Sequence, residues 1–315
     1  MILAGDIGGT STRLATFAAD GGGVRAIAKE RYRSHDYAGL AQIVAAFTAA
    51  HPEPVEAACF GIAGPVIDGR VVTPNLPWVI ESAELARQLR LAEVILLNDL
   101  EANAWGVFTL GTDDVVTLAP GRPLGTGNAA IIAAGTGLGE AGYHALGERL
   151  IPFASEGGHA DFSPHDELTI DLLRWLQKTF GHVSWERVVS GPGLANIYEF
   201  LRGALPETPD PAAAISQAAL AGTDPIAVRA LDLFVALYGA EAGNLALKMK
   251  ATRGVWIGGG IAPKILPRLK QPGFLEAFTD KGRFRPFLEA IPVRVITNDE
   301  TALRGAGFYA LSSRR

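Results

Sequence analysis

One pattern, a short strand that meets a glycine turn and returns as a second strand, occurs twice in the chain and constrains its fold most strongly. The first copy spans residues 2–17 and turns at Gly8-Gly9, and the second spans residues 129–146 and turns at Gly135-Thr136-Gly137. A third strand and then alternating helices and strands follow the first copy, whereas mainly helical segments and two late strands follow the second. This order predicts an α/β protein with two lobes around a cleft.

The loop between Leu110 and Val115 is the best candidate for a domain boundary. It predicts a small α/β domain over residues 1–111 and a larger α+β domain over residues 112–298. The terminal helix is expected to start at Asp299 and to pack back on the small domain, which therefore includes residues 299–315. The strand candidates are residues 2–6, 11–17, 24–32, 57–62, 93–97, 129–134, 140–146, 254–257 and 293–296, and the helix candidates are 37–50, 81–90, 100–110, 166–180, 193–203, 211–222, 225–250 and the segment from 299.

Composition excludes several classes of protein. Apolar residues make up 48% of the 315 residues and charged residues 19%, below the average of about 25%, which predicts a chain that folds throughout. Twenty-eight basic against 33 acidic residues give a net charge of −5, and the basic residues are scattered. A nucleic-acid partner or an anionic membrane is therefore disfavoured.

Cys59 is the only cysteine, so neither an intrachain disulfide nor a metal site with several thiolates can form. Neither a basic, apolar leader before Asp6 nor a continuous apolar span is recognisable. These features predict a cytoplasmic protein.

The two glycine turns are candidate phosphate sites, because glycines let backbone N–H groups approach an anion closely. The first is not a Walker A loop, since Gly-Lys-Ser/Thr is missing from the sequence and a strand follows the turn. The second contains a GxGxxG string from Gly137 to Gly142, but a dinucleotide fingerprint has to open a helix. Two such turns, one from each lobe, are suited to binding the phosphates of one nucleotide. The alternative is that each is a plain hairpin turn.

Asn98-Asp99 follows an apolar strand where a helix begins, a position at which α/β proteins place reacting groups. An Asp there is either a general base for a hydroxyl group or the N-cap of the helix, and the local sequence leaves both open. Asn298-Asp299 also follows a strand, but there the terminal helix favours a capping role.

Three further segments carry polar or glycine-rich patterns. Glu156 and His159 resemble a metal pair, yet Glu-x-x-His needs a helix and a second copy, so recognition of a polyol's hydroxyl groups fits better. Glu186, ahead of Gly191-Pro192-Gly193, indicates only a helix start by itself. Gly258-Gly259-Gly260 follows a strand and fits either a flat ligand face against the backbone or an ordinary turn.

Taken together, these segments resemble the bacterial glucokinases, the ATP-dependent hexose kinases of the hexokinase, actin and Hsp70 superfamily. The resemblance covers nearly the whole chain, and its specificity comes from the order of seven motifs. They read GDIGGTSTR, LLNDLEANAWG, AAGTGLGEA, SEGGHADFSP, ERVVSGPGLANIY, GVWIGGGIAPK and ITNDETALRGAGFYA.

The resemblance implies a two-lobe actin-like ATPase fold with duplicated ribonuclease-H-like topology and an interlobe cleft. It implies transfer of the γ-phosphoryl group of ATP to the 6-hydroxyl of D-glucose, which gives glucose 6-phosphate and ADP. Asp99 matches the family's catalytic base. The positions that match the family's sugar-binding residues are Asn98, Asp99, Glu156, His159 and Glu186.

The resemblance also implies a nucleotide site. Asp6 matches an acidic position near Mg²⁺, usually through water. The positions that match nucleotide-binding residues are Gly8, Gly9 and Thr10 in the first phosphate loop, Thr136 and Gly137 in the second, and Gly259 and Gly260 on the adenosine side.

A chain whose only cysteine is Cys59 cannot form the zinc motif of the related repressors and kinases, so it resembles the zinc-free group. The resemblance to the family suggests that the protein is a homodimer and that it acts in glycolysis. A kinase for another hexose, a sugar sensor without turnover and an actin-like ATPase remain alternatives, and ADP or polyphosphate as donor stays open.

Overall fold

The computed structural model describes residues 1–21, 23–74, 76–122, 126–147 and 149–313. The chain divides into two compact units, Met1–Asp113 with Asn298–Arg315, and Asp114–Thr297. The strands are β1 (Ile2–Ile7), β2 (Ser11–Asp20), β3 (Gly23–Arg33), β4 (Ala57–Ile62), β5 (Arg70–Val72), β6 (Val79–Glu81), β7 (Val94–Asn98), β8 (Val115–Ala119), β9 (Ala129–Ala134), β10 (Leu138–Leu146), β11 (Arg149–Ser155), β12 (Gly254–Gly258) and β13 (Val293–Ile296). The helices are α1 (Leu40–Ala50), α2 (Ser82–Leu89), α3 (Asp99–Gly106), α4 (Glu167–Phe180), α5 (Gly191–Arg202), α6 (Pro211–Ala221), α7 (Pro225–Met249), α8 (Leu266–Leu269), α9 (Pro272–Thr279), α10 (Arg285–Glu289) and α11 (Thr301–Ser312).

The first unit is built on a five-stranded sheet with the order β3-β2-β1-β4-β7. Strands β1, β2 and β3 pair antiparallel, and β1, β4 and β7 run parallel. Side chains of β1 alternate between the two faces of the sheet, as the two-residue period of a strand requires. Leu3 and Ile7 join the core that includes α1, whereas Ile2 and Ala4 join the core that includes α11.

Small residues let α11 pack closely on α3. A Cβ atom on Gly305 would overlap the backbone of Ala102, and one on Gly106 would overlap the backbone of Thr301. The core between these helices and the sheet is correspondingly rich in alanine. Because α3 begins at Asp99, the terminal helix directly supports the element that carries this residue.

The second unit repeats the arrangement. Its six-stranded sheet has the order β11-β10-β9-β12-β13-β8, in which β9, β10 and β11 pair antiparallel and β9, β12 and β13 run parallel. The first five strands thus reproduce the order and directions of the first unit, and β8 adds an antiparallel edge. This duplication, the topology of the actin-like ATPase fold, confirms the predicted fold class.

Helix α7 forms the centre of the core of the second unit, with Phe234, Tyr238 and Leu245 fully buried. Helices α5, α6 and α9 pack against it. Among the described residues, α7 included, no helix is both long and apolar enough to cross a membrane.

The strands and long helices lie within a few residues of their predicted positions, with two kinds of difference: elements that were not predicted, and the start of the terminal helix. Strands β5, β6, β8 and β11 and helices α8 to α10 were not predicted. The terminal helix begins at Thr301 rather than at Asp299. Asn298 accepts a hydrogen bond from the backbone N–H of Glu300 at 2.8 Å, so it closes the preceding turn.

Candidate active site

The first glycine turn joins β1 to β2, and Ser34 holds it in place. The N–H of Gly8 donates to the carbonyl of Ser11 at 3.1 Å, which closes the turn. Ser34 donates from its hydroxyl to the carbonyl of Gly8 at 2.8 Å and from its N–H to the carbonyl of Thr10 at 3.2 Å. The backbone of residues 8–10 is therefore fixed before any ligand arrives, and Thr10 is exposed at its tip.

Asn98 and Asp99 lie where β7 ends and α3 begins. The side-chain oxygen of Asn98 accepts from the N–H of Leu100 at 2.9 Å, and its amide donates to the carbonyl of Gly64 at 3.0 Å. Asn98 is thus the N-cap, and Asp99 is the first helical residue, with Oδ1 2.9 Å from the same N–H. The exposed carboxylate of Asp99 is oriented by the start of the helix, whose dipole stabilises a negative charge there.

Asp6, at the end of β1, lies in a field of opposed charges. Burial and, to a smaller extent, the charges of Asp99 and Asp299 raise its pKa to about 6, against the opposing charge of Arg13. Arg13 faces Asp6 across the β1–β2 pair and donates to the Oδ2 atom of Asp299 at 2.7 Å. The three carboxyl groups and one guanidinium therefore form a single charged group in the first unit.

Sequence analysis missed the roles of Arg13 and Asp299. The expected capping role of Asp299 is wrong: Glu300 is the N-cap of α11, and the carboxylate of Asp299 pairs with Arg13 instead. The local pattern carries no signal for this pair, because the two residues are far apart in the chain.

The second glycine turn joins β9 to β10 in the second unit. The N–H of Gly135 donates to the carbonyl of Gly137 at 2.8 Å, and Gly135 in turn accepts from the N–H of Gly191 at 2.8 Å. Thr136 is exposed at the tip of the turn. The GxGxxG string runs from this turn into β10, so it opens a strand, and the sequence-based rejection of a dinucleotide fingerprint is confirmed.

Glu186 reaches this turn from the 3₁₀ turn Trp185–Arg187. Its Oε2 atom accepts from the N–H of Leu138 at 3.0 Å and would lie 2.5 Å from a Cβ atom on Gly137. The expected helix does start after this segment, as α5 at Gly191 with the side chain of Ser190 as its cap, and Glu186 itself lies ahead of that helix.

Glu156 precedes the 3₁₀ turn Gly157–His159 and His159 ends it, with Oε2 and Nε2 4.0 Å apart and both side chains mostly exposed. Ala160, which follows this turn, is hydrogen-bonded to the residue before Glu186: the N–H of Trp185 donates to the carbonyl of Ala160 at 3.0 Å. The turns 157–159 and 185–187 consequently pack together. The second unit thus gathers Glu156, His159 and Glu186 beside the loop 135–138.

Gly259 and Gly260 follow β12 and lie against the start of the same loop. Gly259 has a φ of +82°, and a Cβ atom on it would overlap the backbone of Ala134. The hydroxyl of Tyr238 accepts from the N–H of Ala134 at 3.1 Å and lies 3.2 Å from the carbonyl of Gly258. Glycine at 259 is therefore required by conformation and by close approach alike.

The described residues contain no cluster of three or more His, Cys, Asp and Glu side chains that could hold a metal ion by itself. Mg²⁺ does not need one, since it keeps several waters and binds through one or two carboxylates together with phosphates. Asp6, whose negative charge is disfavoured by burial and by two further carboxylates, fits such an ion.

Comparison with known proteins gives a consistent result. The sequence model of the family described as Glucokinase matches residues 3–313. The glucokinase of Synechocystis sp. is 43% identical over 99% of this chain and 98% of its own length, and that of Nostoc sp. is 42% identical over 98% of each. The crystal structure of a glucokinase from an Antarctic psychrotroph superposes with a TM-score of 0.88 at 32% identity, covering 99% of this chain and 98% of the other. With sequence and fold matching over nearly its whole length, the chain belongs to the glucokinase family.

Proposed function

We propose that the protein transfers the γ-phosphoryl group of ATP to the 6-hydroxyl of D-glucose, producing glucose 6-phosphate and ADP. The observation that carries this proposal is the match to the glucokinase family over residues 3–313, within which Asn98-Asp99 forms the start of α3. The family membership supports the reaction, and the geometry at α3 supports the choice of base.

Asp99 is the general base in this proposal. Phosphoryl transfer depends on positioning and on neutralising charge, and the protein has one proton to remove from the attacking hydroxyl. The side chain of Asp99 is exposed, and its Oδ1 atom is held by the N–H of Leu100 at 2.9 Å. The helix N-terminus stabilises the negative charge of the carboxylate, which is the form that accepts a proton.

The proposed ligands of the sugar's hydroxyl groups are Asn98, Asp99, Glu156, His159 and Glu186. Carboxylates accept and imidazole donates hydrogen bonds, so this set meets the mixed donor and acceptor character of a hexose. A site built to bond particular hydroxyls rejects sugars that lack them, since its polar groups would be left unpaired.

The phosphates of ATP are held by Gly8, Gly9 and Thr10 of the first turn and by Thr136 and Gly137 of the second. Gly259 and Gly260 lie along the adenosine. Asp6 would hold Mg²⁺ through water, and the ion would supply positive charge that neutralises the phosphates. We also propose that the enzyme is a cytoplasmic homodimer that acts in glycolysis.

The decisive experiment measures product formation from Mg²⁺-ATP with a panel of hexoses, for the wild type, Asp99→Asn and the control Asp113→Asn at an exposed position of the same unit. Asp99→Asn keeps the shape of the side chain and removes the base, so kcat should fall by about 10² to 10⁴ while the dissociation constant for glucose changes only slightly. Near-normal turnover by Asp99→Asn would refute its role as base.

The panel also separates the alternative functions. Product from another hexose would change the substrate and keep the mechanism. Saturable glucose binding without product would indicate a sugar sensor, and ATP hydrolysis independent of sugar would indicate an actin-like ATPase.

A further inference from the structure

The segment that carries Glu156 and His159 rests on strand β10. A Cβ atom on Gly158 would lie 2.9 Å from the carbonyl carbon of Leu138, and one on Gly157 would lie 3.0 Å from the carboxyl carbon of Glu140. The N–H of Gly157 is held by the hydroxyl of Ser155 at 2.9 Å. The two glycines between the proposed sugar ligands thus lie directly on β10, and Gly157 lies on the carboxyl group of Glu140.

Glu140 is sealed from water, with 1% of its surface exposed. Its Oε1 atom is buried and has no hydrogen-bond partner among the described residues. Burying an ionised carboxylate with an unpaired oxygen is costly, so the surroundings favour the protonated form.

Glu241, the carboxyl group whose charge acts on Glu140, is already paired. Glu241 of α7 is fully buried, and its Oε1 atom accepts from the ammonium of Lys248 at 3.0 Å. Its Oε2 atom accepts from the amide of Asn244 at 2.8 Å. Lys248 thus compensates Glu241, and the part of the chain that the structure describes offers Glu140 no cation of its own at hydrogen-bond distance.

The titration of Glu140 follows from this arrangement. Burial, the charge of Glu241 and a hydrogen bond to Glu241 together raise its pKa to about 8, against the opposing charge of Lys248. Tyr238 is the other titratable group of α7 that faces Glu140, and Lys281 faces Glu241 from the segment before α10. At neutral pH the carboxyl group of Glu140 is neutral and donates a hydrogen bond to Glu241.

We propose that Glu140 is a positioning residue for sugar recognition: its neutral carboxyl group supports Gly157 and thereby holds Glu156 and His159 in place. This inference rests on the proposed role of that segment in binding glucose. Ionisation of Glu140 would place a second negative charge beside that of Glu241. The new charge would require water beneath Gly157, and that water would displace the turn 157–159. Sugar binding therefore weakens when Glu140 loses its proton, although Glu140 does not touch the sugar.

The test is the dissociation constant for glucose, measured by calorimetry from about pH 7 to about pH 9.5 for the wild type, Glu140→Gln and Glu207→Gln. For the wild type it should rise about tenfold above pH 8, because binding then requires a proton on Glu140. Glu140→Gln cannot ionise and should stay within about twofold across the range. Glu207→Gln, at an exposed position of the same unit, should follow the wild type.

Equal rises in the wild type and Glu140→Gln, or a flat wild-type profile, would overturn the proposal. Glu140→Ala gives a second readout: it removes the support at every pH, so the KM for glucose should rise about tenfold with a smaller change in the KM for ATP. An equal rise of both constants would indicate general loosening instead. The binding measurement needs no turnover, so failure of the kinase proposal would leave this test intact, and another hexose found by the panel would replace glucose in it.

Discussion

Glu186 accepts a hydrogen bond from the backbone N–H of Leu138 at 3.0 Å. A residue proposed to bind sugar is therefore attached to the loop proposed to hold phosphate. Gly137 makes this contact possible, because a Cβ atom there would lie 2.5 Å from the carboxylate. One side chain thus joins two parts of the site that are far apart in the sequence.

Gly137→Ala is expected to raise the KM for both glucose and ATP. The added methyl group displaces the carboxylate of Glu186, which disturbs sugar binding and frees the N–H of Leu138 together. A displacement of this size should cost about tenfold or more in kcat/KM for each substrate. Steady-state kinetics with each substrate varied in turn would measure it.

Gly135→Ala provides the comparison within the same turn, since a Cβ atom there would meet nothing within 4 Å. Its effect on the KM for glucose should be clearly smaller than that of Gly137→Ala. Equal effects of the two variants on glucose would argue that Glu186 does not join the subsites.

Asp6→Asn is expected to stabilise the ligand-free protein at neutral pH and to abolish most of its activity. The pKa of Asp6 is about 6 in the folded protein and 3.8 without its surroundings. The folded state therefore holds the proton more tightly, and the free energy of unfolding falls as pH rises from about 4 to about 6. Removing the charge should restore about 1 to 3 kcal/mol at pH 7.5 and little at pH 4.

Denaturant unfolding at both pH values, without ATP or Mg²⁺, would measure the difference between Asp6→Asn and the wild type. The activity should fall about 100-fold or more, because the proposed Mg²⁺ position loses its carboxylate. A variant that is less stable than the wild type at pH 7.5 would contradict the electrostatic account of Asp6.

Gly305→Ala is expected to lower both stability and kcat. The methyl group would overlap the carbonyl of Ala102, and backbone cannot move aside as a flexible side chain does. We expect a loss of about 1 to 3 kcal/mol in the free energy of unfolding, and a fall in kcat because α3 starts at Asp99. Gly273→Ala in α9, where a Cβ atom would meet nothing within 4 Å, should be neutral or slightly stabilising. Similar losses in the two variants would contradict the role of the α3–α11 contact.

Cys59 should report the opening of the first unit. It is fully buried in β4, and burial raises the pKa of its thiol well above the usual range. Because the thiolate is the reactive form, a thiol reagent should label it only after the sheet opens. The labelling rate should rise with denaturant in parallel with loss of circular dichroism, whereas labelling within seconds under native conditions would disprove this burial.

The repeated hairpin allowed the duplicated α/β fold to be predicted, because strand periodicity and glycine turns are local signals. Strand β11 escaped because it contains Pro152, which argues against a strand unless the strand lies at an edge, as β11 does. Its edge position depends on pairing with β10 and is invisible locally. Helices α8 and α10 were missed because they have only four and five residues, too few for a helical period to show in the sequence.

The candidate site was named mainly through family motifs, and what its geometry adds depends on contacts between distant segments. The residues around Asn98-Asp99 left base and cap open, whereas the hydrogen bonds assign the cap to Asn98. Glu140 looked like the polar start of a short strand. Its burial depends on Glu241 and Gly157, which periodicity in its own neighbourhood cannot reveal.

The first unit is completed late in protein synthesis, because it includes helix α11. The unit is completed by residues that the ribosome makes only after the whole of the second unit has been synthesised. Until then one face of the first sheet lacks Leu303 and Ala306, and α3 lacks its partner helix. A nascent chain therefore exposes an apolar sheet face for much of its synthesis, so that chaperone contact is expected there, and Asp99 gains its supporting helix only at the end of translation.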